Sequence, residues 1–263
     1  MTTRLKFFMN RIHIAFLLSM AVFPVTGAAR QSREELDQEC VVLLHGLGRT
    51  AHSMKRLEWN LARHGYEVLN VSYPSRRFSV EQLADEYLHP AIARRISRPA
   101  SKIHFVTHSM GGIVLRQYLL NHTIENPGRV VMLAPPNQGS EIVDHLKRAT
   151  VGRWILGPGG CQLDSSPNGL PKRLGAVCFN LGVIAGDRSL NPLFSRILPG
   201  PDDGKISVES TRVAGMKDFL VVPNSHTWMP WRTKTISQVL NYLRSGEFNR
   251  DEAGESFRND VLQ

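Results

Sequence analysis

Residues 102–120 read Lys102-Ile103-His104-Phe105-Val106-Thr107-His108-Ser109-Met110-Gly111-Gly112-Ile113-Val114-Leu115-Arg116-Gln117-Tyr118-Leu119-Leu120. An apolar run suited to a buried strand leads into a serine among small residues, and a helical pattern follows. Joining strand to helix in so few residues requires a turn tight enough to strain the serine backbone and hold its Oγ clear of the sheet edge. Gly111 fits that turn, because a side chain two residues past the serine collides as the helix folds back on the strand. The helix N-terminus beneath favours negative charge, such as a developing oxyanion. Thr107 stands where the G-x-S-x-G pattern has its first glycine. Being β-branched it suits a strand end, but it is larger, so the turn is expected to open slightly there. Ser109 is the candidate nucleophile.

Upstream, Val41-Val42-Leu43-Leu44 is too short for a helix and suits a buried parallel strand, and His45-Gly46-Leu47-Gly48 follows at once. When a serine attacks an acyl carbon, the carbonyl oxygen becomes an anion, and two backbone N–H groups must already point at it. One belongs to the residue after the nucleophile, Met110. The other is expected from the glycine-rich loop after the earlier strand, at Leu47. Gly46 and Gly48 let that loop turn its amides inward without Cβ clashes.

Serine needs a base to take its proton, and the base needs a carboxylate to hold its tautomer. Where the nucleophile sits on such a strand-to-helix turn, the order along the chain is Ser, then Asp or Glu, then His. Three histidines follow Ser109. His122 ends the helix after the turn, where the C-terminal dipole suits it, and His145 lies in an amphipathic segment. His226 follows the late strand Asp218–Val222, in a loop beyond that strand's C-terminal end, where sites of open parallel sheets sit. His226 is the candidate base. Four aspartates lie between: Asp187, directly after a strand over 180–186; Asp202 and Asp203, in the turn Pro201-Asp202-Asp203-Gly204; and Asp218. Turn chemistry alone also favours Asp and Gly there. Asp203 ranks first, Asp187 second and Asp202 third.

These stretches together resemble an α/β-hydrolase of the bacterial lipase and esterase type. Leu44-His45-Gly46-Leu47-Gly48 and His108-Ser109-Met110-Gly111-Gly112 carry the likeness. So does Leu133-Ala134-Pro135-Pro136-Asn137-Gln138-Gly139-Ser140-Glu141-Ile142-Val143-Asp144, which is similar to the A-P-H-x-G-S-x-x-A-D segment of bacterial lipases with Pro136 in place of the histidine and Val143 in place of the alanine. Asp203-Gly204-Lys205-Ile206 resembles the D-G-x-V segment that holds the triad acid in such lipases, and His226 follows in order. The likeness spans about residues 40–245. It implies an α/β-hydrolase fold, a Ser109–Asp203–His226 triad, an acyl-enzyme intermediate and no cofactor. It fixes no substrate.

The chain has 263 residues, of which 42% are hydrophobic, enough for one sizeable core. Its first 29 residues stand apart. Arg4, Lys6 and Arg11 precede an uncharged apolar stretch, Ile12 to Val25, and Thr26-Gly27-Ala28-Ala29 offers small residues for signal-peptidase cleavage. Export is therefore expected; an uncleaved N-terminal anchor is the alternative. Removing those three cations takes the formal charge from +9 to 9 − 3 = +6. The remaining excess is dispersed, with no basic stripe interleaved with aromatics, so a nucleic-acid partner is not indicated. Attraction to an anionic membrane surface is compatible with it.

Cys40 opens the first core strand and reads as a buried thiol. Cys161 and Cys178 flank a loop rich in Ser, Pro and Gly, and export would permit a disulfide between them. No cluster of Cys and His has metal-ligand spacing. Runs near 41, 67, 103, 129, 180 and 218, alternating with helical segments at 53–64, 80–96 and 236–243, predict about six mostly parallel strands with helices on both faces. Domain boundaries follow at 30–246, with a polar tail over 247–263. An insertion over about 140–174, where Trp154, Ile155, Leu156 and Leu163 interrupt glycines and prolines, reads as a lid or acyl-binding cap. The function this sequence points to is hydrolysis of carboxylic esters, with lipid or acyl esters as the substrate class. An acyltransferase using the same triad and a non-catalytic envelope binding protein are the rivals. Nothing in the sequence sets an oligomeric state.

Overall fold

The computed structural model describes residues 39–96 and 102–253. The expected leader, residues 1–29, and the last ten residues lie outside the described residues. Six strands form one sheet: β1 Cys40–Leu44, β2 Glu67–Val71, β3 Ile103–His108, β4 Pro127–Leu133, β5 Leu181–Gly186 and β6 Asp218–Val222. Each is short, apolar and followed by a polar or glycine-bearing turn, and each falls where the sequence pattern places it. They run parallel in the order β2-β1-β3-β4-β5-β6.

The helices are α1 Lys55–Arg63, α2 Val80–Gln82, α3 His89–Ile96, α4 Met110–Asn121, α5 Glu141–Leu146, α6 Thr150–Cys161, α7 Leu170–Arg173, α8 Pro192–Ser195, α9 Thr233–Ser245 and α10 Arg250–Ala253. A π-helical stretch, Leu83–Leu88, joins α2 to α3. Alternation along the strands divides the core in two. Val42, Leu44 and Phe105 pack with Leu83, Leu88 and Ile113 on one face. Val41, Leu43 and Val106 pack with Leu57, Leu61, Val239 and Leu243 on the other. Burial on both faces explains why the strands read as continuous apolar runs.

The strand order decides where a site forms. After β1 the chain moves to β2 on one side, then returns to β3 on the other. The connections leaving β1 and β3 therefore diverge and open a crevice at the strands' C-terminal ends. The His45–Gly48 loop and Ser109 both emerge there.

The insertion over 140–174 is mostly helical, comprising α5, α6 and α7. Its Gly157-Pro158-Gly159-Gly160 run is a packing seam. Gly157 kinks α6 with φ 67°, and a Cβ there would lie 2.0 Å from the Arg76 carbonyl oxygen. The Gly159 amide donates to the Phe78 carbonyl (3.0 Å), and the Val80 amide donates to Gln162 Oε1 (2.7 Å). Glycine is needed because the cap backbone lies against the 76–80 backbone. The start of the supposed polar tail is also packed. Phe248 is buried against Tyr242, with ring centroids 4.8 Å apart, and Gln238 exchanges hydrogen bonds with Asn249. One apolar residue in a polar context leaves no periodic trace, which is why the sequence pattern misses it.

Candidate active site

Ser109 closes β3 and caps α4 with φ 55° and ψ −127°. A non-glycine residue at positive φ is strained by about 1–3 kcal/mol and persists only where its surroundings hold it. Here the Ser109 amide donates to the Leu133 carbonyl (2.8 Å), and the Ser109 carbonyl accepts from the Gly112 amide (2.9 Å). The ladder stays in register through Thr107 and His108, which face Met132 and Leu133 of β4. Gly111 is required as the pattern suggests, though by a different neighbour. A Cβ there would lie 2.7 Å from the Leu44 carbonyl oxygen and 2.8 Å from that of His45, so the clash is with the end of β1 rather than with β3.

Of the aspartates, the structure brings Asp203 to His226. His226 Nδ1–H donates to Asp203 Oδ2 at 2.7 Å, with both residues buried, at 5% and 2% exposure. The His226 amide also donates to the Asp203 carbonyl (2.9 Å). Asp203 Oδ1 accepts from the amides of Lys205 (3.0 Å) and Ile206 (2.8 Å), which fixes the carboxylate plane. The Nδ1 contact leaves Nε2 as the imidazole's free acceptor. Asp202 is turned away: its Oδ1 takes the Gly204 amide (2.7 Å) and Ser195 Oγ (3.0 Å). Asp187 lies beside Arg188 (3.6 Å), and Asp218 pairs with Arg250. Of the remaining histidines, His122 contacts Asp85 (3.0 Å) and stacks on Tyr118, and His145 is exposed on α5.

The glycine-rich loop is tied down by contacts that the sequence does not show. His45 is buried and stacked on Tyr73, with ring centroids 4.1 Å apart. Its Nδ1–H donates to the Gly46 carbonyl (2.9 Å), while its Nε2 accepts from the Tyr73 amide (3.3 Å). The Tyr73 hydroxyl donates to the His45 carbonyl. Desolvation holds the His45 pKa below its ordinary value, consistent with this neutral tautomer. Of the three amides after Gly46, that of Gly48 donates to Ser75 Oγ (2.9 Å) and that of Arg49 to the Gly46 carbonyl (3.2 Å). The Leu47 amide has no such acceptor among the described residues. The Met110 amide opens α4, where a helix leaves its first N–H groups without internal partners.

Both side chains sit beneath the cap. A Cβ at Gly159 would lie 2.7 Å from Met110 Cε, and one at Gly160 would lie 2.9 Å from Leu47 Cδ2. His108, beside the serine, was also missed. Its Nε2–H donates to the His226 carbonyl (3.0 Å), and the two rings lie 4.8 Å apart. Burial, then the neighbouring His226, holds its pKa well below the usual value, so His108 is a neutral brace between β3 and the histidine loop. Cys161 and Cys178 form no disulfide. The intervening loop is held by polar contacts, including the Ser165 amide donating to Asp144 Oδ1 (3.1 Å).

Ser109, His226 and Leu47 line one cavity of about 330 Å³. The cap supplies apolar walls through Ile142, Val143, Leu146, Leu156 and Leu163, and Pro136 also lines the cavity. No group of three or more potential metal ligands occurs among the described residues.

Comparison with curated proteins finds no match. Among solved structures the chain is similar to the mature lipase BlEst2 of Bacillus licheniformis, with 18% identity, a TM-score of 0.55, and coverage of 79% of this chain and 91% of that one. It is similar to the esterase EaEST of Exiguobacterium antarcticum, with 16% identity, a TM-score of 0.52, and coverage of 80% and 93%. The phospholipase PlaB of Legionella pneumophila shares 20% identity at a TM-score of 0.52; the match covers 66% of this chain and 46% of that one. At such identities the likeness is one of fold. The model of the alpha/beta hydrolase family matches residues 41–251. Because that match runs from the first core strand to the last helix, the chain belongs to the alpha/beta hydrolase family.

Proposed function

We propose that this protein hydrolyses carboxylic esters of apolar acyl groups through Ser109, His226 and Asp203. The observation that carries the reading is the buried Asp203–His226 pair, 2.7 Å apart, whose His226 opens with the strained Ser109 onto one cavity with apolar walls from the cap. A histidine buried only for packing has no need of a carboxylate on Nδ1, and a serine at positive φ has no structural advantage over glycine.

In this reading Ser109 Oγ attacks the ester carbonyl carbon while His226 Nε2 takes the hydroxyl proton. The tetrahedral oxyanion accepts hydrogen bonds from the Leu47 and Met110 amides, at the positively polarised end of α4. The C–O bond to the alcohol then breaks, and His226 returns its proton to the leaving oxygen. Water attacks the acyl-enzyme with His226 again as base, releasing the carboxylic acid and restoring Ser109. Asp203 keeps its charge throughout and stabilises the imidazolium. Export, drawn from residues 1–29, belongs to the same proposal.

The test is labelling by a fluorophosphonate probe, together with hydrolysis of 4-nitrophenyl esters of graded chain length, with and without an alcohol acceptor. The wild type should label and hydrolyse. Ser109→Ala should keep its melting temperature and do neither. A folded Ser109→Ala protein that retains most of its activity would remove the covalent mechanism. Acyl transfer to the alcohol outrunning hydrolysis would make the protein an acyltransferase.

A further inference from the structure

The cavity that holds Ser109 and His226 is divided by polarity. Six apolar lining residues come from the cap, Ile142, Val143, Leu146, Ile155, Leu156 and Leu163, and Leu47, Pro136, Phe194 and Ile206 add to them from the body, whereas Arg49, Arg76 and Lys205 line the cavity from the loops after β1, β2 and β5. No aspartate or glutamate lines the cavity, because Asp203 lies behind His226. None of the three cations forms an ion pair with a carboxylate among the described residues. What holds them is weaker: Arg49 Nη2 donates to Thr227 Oγ1 (3.4 Å), and Arg76 Nη2 donates to the Trp154 carbonyl (3.5 Å), its guanidinium 5.6 Å from the Trp154 ring centre.

Lys205 is close enough to Arg49 to feel it. Desolvation first and Arg49 second pull its pKa down, and Asp203 opposes them only in part. Like charges gathered beside a reacting centre repel one another unless an anion joins them. A bound anion would turn that repulsion into charge-assisted hydrogen bonds, with Arg able to grip a phosphate or carboxylate through two N–H groups at once.

The arrangement also says where the anion belongs on a substrate. An acyl chain gains most by lying against the apolar cap walls. The scissile carbonyl sits between Ser109 and the Leu47 and Met110 amides. With the acyl chain against the apolar walls, the cationic loops are left for the alcohol part. Resting on the esterase reading above, we infer that the substrates are acyl esters whose alcohol part carries an anionic group, a phosphate or carboxylate, held by Arg49 and Lys205 with Arg76 as a third cation of the same cavity. Such a molecule has two physical forms, a soluble anionic ester and a lipid with an anionic head group, and the chemistry recognised is the same.

The test compares 1-butyrylglycerol with 1-butyrylglycerol 3-phosphate, both as dissolved monomers, by titrating the acid released. The phosphorylated ester should have the higher kcat/KM, chiefly through KM, and the preference should fall as salt rises. Arg49→Gln and Lys205→Gln should each lower the ratio of the two kcat/KM values about tenfold, and Arg49→Lys should restore part of it. Lys205→Gln leaves intact the backbone amide that Asp203 accepts. A second arm presents long-chain acyl lipids in anionic and zwitterionic vesicles. Preference on both monomers and vesicles assigns the head group to the cavity and makes lipid a usable source; preference on monomers alone assigns a soluble ester. Preference on vesicles alone would mean attraction of the whole surface and would overturn the assignment. An equal loss on both monomeric esters in the two glutamine variants would also overturn it, since the cations would then serve the oxyanion or the fold. Activity on the neutral ester without preference defeats this inference and leaves the esterase reading standing; absence of activity on every ester defeats the esterase reading itself.

Discussion

Gly111→Ala perturbs the site through backbone geometry alone. The added methyl would lie 2.7 Å from the Leu44 carbonyl oxygen and 2.8 Å from that of His45. Ordinary carbon–oxygen contact begins near 3.3 Å, so each contact is about 0.5 Å too short. Both partners are backbone, so no side-chain rotation relieves them: the start of α4 and the end of β1 must separate. Overpacking of this kind costs about 1–3 kcal/mol. For a domain of this size that lowers the melting temperature by about 2–4 °C per kcal/mol. The catalytic effect should be larger than the stability effect suggests. The two strand ends carry the two amides proposed for the oxyanion, Leu47 two residues past His45 and Met110 one residue before Gly111. Separating them by half an ångström should lower kcat by about ten- to a hundredfold with KM little changed, because the interaction grows as charge develops on the oxygen. Gly112→Ala is the control. Its methyl would meet side chains, Pro135 Cβ at 3.0 Å and Met132 Sδ at 3.1 Å, and not the loop after β1. The assay is kcat on 4-nitrophenyl butyrate beside thermal unfolding for both variants. Equal loss of kcat in the two variants, or an unchanged kcat in a destabilised Gly111→Ala, would refute the coupling of this glycine to the oxyanion loop.

Asp203→Asn should reduce turnover by about four orders of magnitude by favouring the wrong His226 tautomer, whereas Asp187→Asn and Asp202→Asn should be far milder; kcat of the three at saturating ester checks the order. His45 and His108 are held neutral by burial, with pKa values below the ordinary 6.5. The unfolded chain therefore binds protons that the folded chain excludes, and stability should fall as pH drops through 6.5, each histidine contributing up to about 1.4 kcal/mol per pH unit. Denaturant midpoints at pH 7.5, 6.0 and 5.0 test this, and His108→Gln should flatten the slope; stability that is constant or rises towards acid would contradict it. The exported protein should begin near Ala29 or Arg30, which N-terminal sequencing decides, and recovery of an intact Met1 form in the membrane would mean an anchor instead.

The order of elements was legible in the sequence because burial on both faces makes a parallel strand read as an apolar run, and six such runs between helical patterns leave few other architectures. Ser109 was legible because strand, small residues and helix crowd into one turn. His226 was legible because chain order and position beyond β6 exclude His122 and His145. Asp203 led its rivals but could not be separated from them by residue type, since Asp and Gly suit any turn. The folded chain sets its carboxylate 2.7 Å from His226 Nδ1 while Asp202 faces Ser195 and Gly204, and the proposed role of Asp203 rests on that contact. The tertiary structure alone also placed the His45–Tyr73 stack against the glycine-rich loop, the His108 brace, the seating of the cap glycines over Leu47 and Met110, and the convergence of Arg49, Arg76 and Lys205 on one cavity. Periodicity and short motifs report what neighbours along the chain do to one another. The three cations come from loops after three different strands, so only the order in which the sheet is assembled brings them together.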